Sequence, residues 1–600
     1  MQANLYALVA VAVVALITAV IGGFGIRFAR TTSDVLVAAR TVNPRWNAAA
    51  ISGEYLSAAS FLGIAGLVLK EGVDALWYPV GFTAGFLALL LFVAAPLRRS
   101  GAYSLPDFAE LRLGSAEVRR VATGLVVVIG WFYLVPQLQA AGLTLSVLTG
   151  WANWIGACLI ALIVITNVVF GGMRSITFMQ AFQYWLKLTA LAVPVFVLLL
   201  TQASQYTNAR ATAGAGAPPA FTENTTVRVD TDVVLQVTEP TQLTAVGGVD
   251  GAVDVDGTVY WGVGEHEVSE GTALTFPAKS AVPVVTGAPA HNDDWLRPLY
   301  GGAGDHPLFE TYSLMLATFL GTMALPHVLV RFYTNSDGRA ARISTLFVLG
   351  LLGVFYVFPT VSGLLARLYV PQLLVTGRTD AAVLLLPGAV LDSWPARLLG
   401  GLVVAGAFAA FLSTSSGLMV GVAGVLSTDV LHGRAKDFRL AALLAGLVPM
   451  AMAVTIPPID IARAVGLAFA VAASSFCPLL VLGIWWRNLT DAGAVAGLII
   501  GGGVSVAAVF GTLLGLAPGG WVGSVLGHPA AITVPLTFLT MVVVSKVTPK
   551  RVPSDVARVL ARLHAPERLG LTPGPNPNRT GTVRRPADQD AVNRAGRHRR

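Results

Sequence analysis

Two stretches place polar groups where an apolar chain should exclude them, and their spacing suits the binding of a small cation. One is Gly53-Glu54-Tyr55-Leu56-Ser57-Ala58-Ala59-Ser60-Phe61-Leu62-Gly63, within the apolar run 47–70. The other is Ala407-Phe408-Ala409-Ala410-Phe411-Leu412-Ser413-Thr414-Ser415-Ser416-Gly417, within the run 396–429. Charges and unpaired backbone groups at membrane depth are costly unless they face protein or a wet cavity. The run 47–70 is therefore expected to be a broken helix whose polar middle lines a site. A bare alkali cation needs several oxygens in place of its water. Unwound carbonyls and neutral hydroxyls supply them without the trapping strength of a carboxylate cage. Gly53 and Leu56, at a helix break, can each present a free carbonyl. Ala410, Ser413 and Thr414, at i, i+3 and i+4, share one helix face and can add a carbonyl and two hydroxyls. These residues are the expected ligands of one monovalent cation, with Na+ preferred over H+ because both hydroxyls are present. Taken alone, the hydroxyl run reads equally well as close helix packing through small residues. Glu54 could neutralise the cation, accept a proton, or bond the N-terminus of a half-helix.

The elements that must position these groups are membrane helices. The chain has 600 residues, 55% hydrophobic and 12% charged, with a mean hydropathy of +0.70. That composition excludes a string of soluble domains. Apolar runs fall at 4–26, 47–70, 75–96, 121–149, 152–170, 181–202, 307–329, 343–369, 396–429, 440–457, 460–485, 491–516 and 530–547, which makes about thirteen spans. The first, at 6–28, reads as a retained span and not as a signal peptide. Arginine and lysine follow the odd-numbered spans, so the N-terminus is expected outside and the C-terminus in the cytoplasm of a plasma-membrane protein. Arg98 and Arg331 stand at inner edges, where an anchoring role is expected before gating.

The expected divisions are a first helix at 1–30, a repeat at 46–202, an insertion at 203–306, a second repeat at 307–487, two further helices at 488–548 and a tail at 549–600. The insertion is acidic, with short alternating segments between Gly and Pro turns, and reads as a small β-rich extracytoplasmic module. Asp254-Val255-Asp256-Gly257 suits a hairpin before a calcium loop, and Asn224-Thr225-Thr226 is a weak glycosylation signal. The tail is basic and Pro-rich, expected to be mostly disordered after an amphipathic piece at 555–563 and to lie on anionic lipid. The net charge of +8 comes with no nucleic-acid-binding motif. Cys158 and Cys477 sit in apolar runs and offer neither a disulfide framework nor metal spacing. No phosphate loop, nucleophile elbow or zinc helix points to an enzyme, and no cofactor is expected beyond the transported ion.

Leu56-Ser57-Ala58-Ala59-Ser60-Phe61-Leu62-Gly63 and Ala409-Ala410-Phe411-Leu412-Ser413-Thr414 resemble the two halves of the cation site in the sodium:solute symporter family. Phe170-Gly171-Gly172-Met173-Arg174-Ser175 resembles that family's Gly-Gly-Met turn. Leu325-Pro326-His327-Val328-Leu329-Val330-Arg331-Phe332-Tyr333-Thr334, followed by Ser336-Asp337, resembles its cation/acetate branch, which usually has Asp at the place of Glu54. The resemblance covers the spans and omits the insertion and tail. It implies an all-α polytopic membrane protein with a 5+5 inverted-repeat, LeuT-like core, in which spans two and seven are broken, the latter within 321–326. It also implies symport of acetate or another short-chain monocarboxylate with Na+ or H+. Donors for such an anion are expected from helix N-termini and from Tyr55, Ser57, Ser60, Tyr133, Gln137 and His327. The rival readings are a sodium symporter for a sugar or proline, and a transporter-like sensor or scaffold.

Overall fold

Proline, glycine and charge end the apolar runs, and the helices stop where those residues stand. The computed structural model describes residues 5–25, 43–170, 173–212, 218–229, 231–300, 305–391, 393–431, 435–516 and 519–566. Helix α1 (Leu5–Gly25) is followed by α2 (Pro44–Tyr55), α3 (Ile64–Glu71), α4 (Trp77–Ala88), α5 (Ala94–Ser100), α6 (Leu105–Leu113), α7 (Ala116–Thr149), α8 (Asn153–Phe170) and α9 (Met173–Thr212). A sheet follows, then α10 (Pro307–Thr322), α11 (Pro326–Phe332), α12 (Gly338–Tyr369), α13 (Ala382–Val390), α14 (Ser393–Val425), α15 (Ala435–Thr455) and α16 (Ile461–Trp485). The remainder holds α17 (Asp491–Gly497), α18 (Gly503–Leu513), α19 (Gly520–Gly527), α20 (Ala530–Val547) and α21 (Val556–His564).

Against about thirteen full spans expected, the described residues hold 10 helical stretches long and apolar enough to cross a membrane. Leu5–Ile21, Asn153–Val169 and Thr379–Val390 are shorter apolar helices. Ala59–Ser100 is an unbroken run of helical backbone, with a corner between the expected spans 47–70 and 75–96. Gly72, at φ +67°, turns the chain between α3 and α4, and a 3-10 turn at Gly72–Leu76 keeps the backbone bonded through the corner. The Gly171–Gly172 turn, the arginines at 27, 30 and 40, and the tail beyond 566 lie outside the described residues.

Two interruptions matter for function. Helix α2 ends at Tyr55, Leu56 takes φ −73° and ψ 89°, and the chain re-enters helix through a π turn at Ala59–Gly63. Helix α10 ends at Thr322, Leu325 is extended, and Pro326 starts α11. Proline has no N–H to give to the preceding turn, so a helix restarts at Pro326 without stranding a donor. Around these breaks α9 packs on α2 and α14, α10 on α4 and α16, and α7 on α8, α14 and α16. Small residues permit the approach: a Cβ at Gly321 would strike the Phe469 backbone of α16.

The sheet consists of β1 (Thr225–Arg228), β2 (Val233–Val237), β3 (Thr241–Val249), β4 (Ala252–Trp261), β5 (Gly264–Val268), β6 (Ala273–Phe276) and β7 (Val284–Val285), all paired antiparallel in the order β1-β6-β3-β5-β2-β7 with β4 on β3. Asp250 (φ 50°) and Gly251 (φ 77°) make the tight β3–β4 turn. Its core, centred on Trp261, is continuous with Leu365, Leu374 and Leu386 at one end of the helices. The loop after the sheet is tied down by Trp295 Nε1, which donates to the Val68 carbonyl at 2.8 Å, and by Arg367, which donates to Asn292 Oδ1 at 2.9 Å and the Leu69 carbonyl at 3.1 Å. Arg367→Met strands those acceptors, and each costs about 1–3 kcal/mol. The expected result is earlier cleavage at 286–300 in limited proteolysis.

Candidate functional site

The unwound segment after α2 meets the middle of α14. The Gly53 and Leu56 carbonyls and the Ser413 hydroxyl converge on one point, as the spacing predicts. The point is held by an amine. Lys187 Nζ, on α9, donates to the Gly53 carbonyl, to the Leu56 carbonyl at 2.6 Å and to Ser413 Oγ at 2.7 Å. Ser413 Oγ in turn donates to the Ala410 carbonyl at 3.1 Å. Thr414 Oγ1 faces the other way along the chain and donates to the Glu54 carbonyl at 2.6 Å. Of the five expected cation ligands, Gly53, Leu56 and Ser413 touch the Lys187 amine directly, Ala410 accepts from Ser413, and Thr414 bonds the Glu54 carbonyl instead. Gly53 is required for the approach, because a Cβ there would strike the Gln180 carbonyl of α9.

Beside this point lies a buried ion pair. Glu54 Oε2 accepts from Arg331 Nε at 2.5 Å, with both side chains 1% exposed. Arg331 also donates to Thr177 Oγ1 at 2.8 Å and to Gln180 Oε1. Gln180 Nε2 donates to the Ser413 carbonyl at 2.8 Å. Thr177, Gln180 and Lys187 therefore form one polar face of α9 that links α2, α11 and α14. The anchoring role expected of Arg331 is corrected: its guanidinium turns into the bundle, because a short helix starting at Pro326 aims it at Glu54. Arg98 does lie at an edge, and it donates to the Asn335 and Ser336 carbonyls.

The six candidate substrate residues gather on the other side of the break. Ala58 N donates to Gln137 Oε1 at 2.9 Å, which leaves Gln137 Nε2 buried without a partner. Pro136 interrupts the α7 ladder next to it. The Tyr133 hydroxyl faces Ser57, and its ring meets His327 edge-on at 5.3 Å, where His327 Nε2 is also buried and unpartnered. Ser57 Oγ accepts from Ala59 N at 3.2 Å. Tyr55 and Ser60 are committed elsewhere: Tyr55 OH bonds Thr322 Oγ1 at 2.7 Å and Ser60 Oγ bonds Tyr356 OH at 3.0 Å. Both bonds join a broken helix to a neighbour and read as packing. Phe82, Phe86 and Phe469 surround the Tyr55 ring and supply apolar wall. Tyr78, stacked edge-on to Phe82 at 6.0 Å, separates this cluster from a vestibule of about 860 Å³ that it also lines. The vestibule runs up to the sheet, reaching Thr231, Val233 and Val285.

Sequence reasoning missed Lys187 and the α9 face. The signal was present: a single lysine inside the run 181–202 is an intramembrane charge, which by itself marks a functional site.

A long helix unwound partway along, a buried lysine at the unwinding and unpartnered donors beside it are features of membrane transporters of small solutes. The sequence profile of the sodium:solute symporter family matches residues 35–247 and 288–501. The chain belongs to that family, whose members use Na+ as the co-transported ion. It is 28% identical over 550 residues to the uncharacterized symporter YwcA of Bacillus subtilis (strain 168), covering 87% of this chain and 90% of that one. Among solved structures, it shares the fold of a Na+-coupled sialic acid symporter in a substrate-bound outward-open state. The identity is 12%, the TM-score 0.58, and the match covers 90% of this chain and 97% of the other.

Proposed function

We propose that this chain is a secondary-active symporter that couples inward flow of a monovalent cation to uptake of acetate or another short-chain monocarboxylate. It works by alternating access. The observation that carries this is the convergence of the Gly53 carbonyl, the Leu56 carbonyl and Ser413 Oγ on one point, the Lys187 amine, directly beside a small buried cluster with spare donors. Gln137 Nε2, the Tyr133 hydroxyl and His327 can bond a carboxylate, while Phe86 and Phe469 suit a short alkyl group. In this reading 46–202 and 307–487 are inverted repeats whose first helices are the two broken ones, and substrate binds between the breaks. The sheet side is extracytoplasmic, the vestibule is the entry, and the Tyr78–Phe82 layer is the outer gate. Na+ is the family's ion, and the titratable amine at the point adds a proton as a second candidate.

Counterflow of labelled acetate in proteoliposomes, competed by propionate, pyruvate, proline and glucose, tests the substrate class. Competition by the monocarboxylates alone supports the reading, and competition by proline or glucose alone sinks it. Gln137→Ala removes a donor that points into the cluster, and its KM for acetate is expected to rise about tenfold, the value of one lost hydrogen bond to a charged group. An unchanged KM removes Gln137 from the site.

A further inference from the structure

Two stretches of helix run side by side past the candidate substrate cluster. One is 77–100, formed by α4, a π turn and α5; the other is α16. Both start at the vestibule, which Tyr78, Ile461 and Arg463 line. At the cluster they face each other through Phe82 and Phe469, whose rings lie 4.8 Å apart. At the far ends they meet again. Pro96 has no N–H for the Phe92 carbonyl four residues back, so that carbonyl is left open and takes Trp485 Nε1 at 3.1 Å. The two walls of the cluster thus lead from the vestibule to a pinned end.

Helix α21 sits on that pinned end. Val556, Val559 and Leu563, at i, i+3 and i+7, form its buried stripe and are 4%, 8% and 0% exposed. Residue order alone would lay this amphipathic piece on lipid; in the fold, α5, α6 and α16 take its apolar stripe instead. His564, in its last turn, holds both walls. Its carbonyl accepts from Arg99 Nη1 of α5 at 3.2 Å, its Nε2 donates to the Ile484 carbonyl of α16 at 2.9 Å, and its ring lies 4.7 Å from that of Trp485. The last carbonyls of a helix have no partner within it. Those at the end of α16 are met from outside: Ile484 by His564, and Gly483, Trp486 and Arg487 by Arg112 of α6, which is 1% exposed. Arg558, on the outer face of α21, is exposed.

We propose that α21 is a latch on the inner end of the transport path: it holds α5 against α16, favours the state open to the vestibule, and must let α16 go before the path opens on the cytoplasmic side. The proposal rests on the symporter reading and adds to it a segment outside the two repeats. Opening the pinned end separates Trp485 from Phe92. It also costs the His564–Ile484 bond and the burial of Leu563. These contacts exist only while the end is closed, so they weight the balance between the two states without altering the solute cluster. Just before α21, Arg551 Nη2 holds Asp491 at 2.7 Å. The helix can therefore release α16 while its root stays fixed.

The full chain in proteoliposomes tests this in three variants, with folding checked by size exclusion and thermal unfolding. His564→Ala removes the grip on α16, Leu563→Asp lifts the helix, and Arg558→Ala alters only its exposed face. Releasing the latch lowers the fraction of protein competent to bind from outside, and the apparent KM rises in inverse proportion. The external KM for acetate in counterflow is expected to rise at least about threefold in His564→Ala and Leu563→Asp, and to keep its wild-type value in Arg558→Ala. A second measurement needs no solute. Spin labels on Leu91→Cys and Arg487→Cys, both exposed positions, in a background with Cys158→Ala and Cys477→Ala, report the separation of the inner ends. One short distance is expected with native α21, and a second, longer one in His564→Ala and Leu563→Asp. A single unchanged distance in both variants overturns the proposal, and so does an unchanged KM where the wild type exchanges acetate. An equal rise of KM in Arg558→Ala would make α21 a lipid-surface anchor and also overturn it. Absence of counterflow with every monocarboxylate, with the longer distance present, would overturn the substrate reading and leave the latch standing.

Discussion

Arg331→Gln is expected to abolish accumulation of substrate and to destabilise the folded protein by about 3–5 kcal/mol, the usual cost of stranding one member of a buried ion pair. Glu54 is 1% exposed and has Arg331 as its ion-pair partner, so glutamine in place of arginine leaves a buried carboxylate without its counter-charge. The loss spreads further. Arg331 also bonds Thr177 and Gln180, and Gln180 holds the Ser413 carbonyl, so the α9 face loses its link to α11. Glu54→Gln is the milder change: transport should fall more than expression does, because Arg331 keeps Thr177 and Gln180. The double variant Glu54→Gln/Arg331→Gln removes both charges, and its stability should recover well above that of Arg331→Gln alone. Thermal unfolding in detergent beside acetate uptake measures both quantities. Additive losses in the double variant would mean that the pair is not an energetic unit.

Gly53→Ala is expected to reduce uptake at least tenfold, and Gly53→Val to give no folded transporter. An added Cβ at this position meets the carbonyl carbon and oxygen of Gln180, both backbone atoms of a long helix. Backbone cannot swing aside as a side chain can, so α2 and α9 must separate, by on the order of 1 Å, and overpacking of this kind costs about 1–3 kcal/mol. That separation acts on the site itself, since the Gly53 and Leu56 carbonyls reach Lys187 across the same interface. Gly417 provides the internal comparison. A Cβ there meets the carboxyl and Cγ of Glu54, a side chain but one that Arg331 holds in place. Gly417→Ala should therefore lose transport through the ion pair and add little to the loss in Glu54→Gln, and full additivity would show that the two act separately.

Much of the architecture was legible in residue order. Composition required a polytopic membrane protein, because a chain this apolar has no other way to hide its surface. Leu56-Ser57 after Gly53-Glu54 marked a break, since a carboxylate and free carbonyls in lipid demand a protein-lined site. Pro326 marked the second break, for want of a backbone N–H. The expected spans 47–70 and 75–96 meet at a corner with no open loop between them: Gly72 turns the chain while its hydrogen bonds stay intact, and sequence periodicity does not register such a turn.

What residues alone determined was that two distant runs carry polar groups that must face protein, because lipid would not tolerate them unpaired. Which group meets their oxygens, and where Arg331 points, only the tertiary structure decided. Lys187 is 131 residues from Leu56 and 226 from Ser413 along the chain, and nothing in local propensity brings them together. Helix α9 lies against both α2 and α14, and that packing delivers the Lys187 amine to oxygens of both.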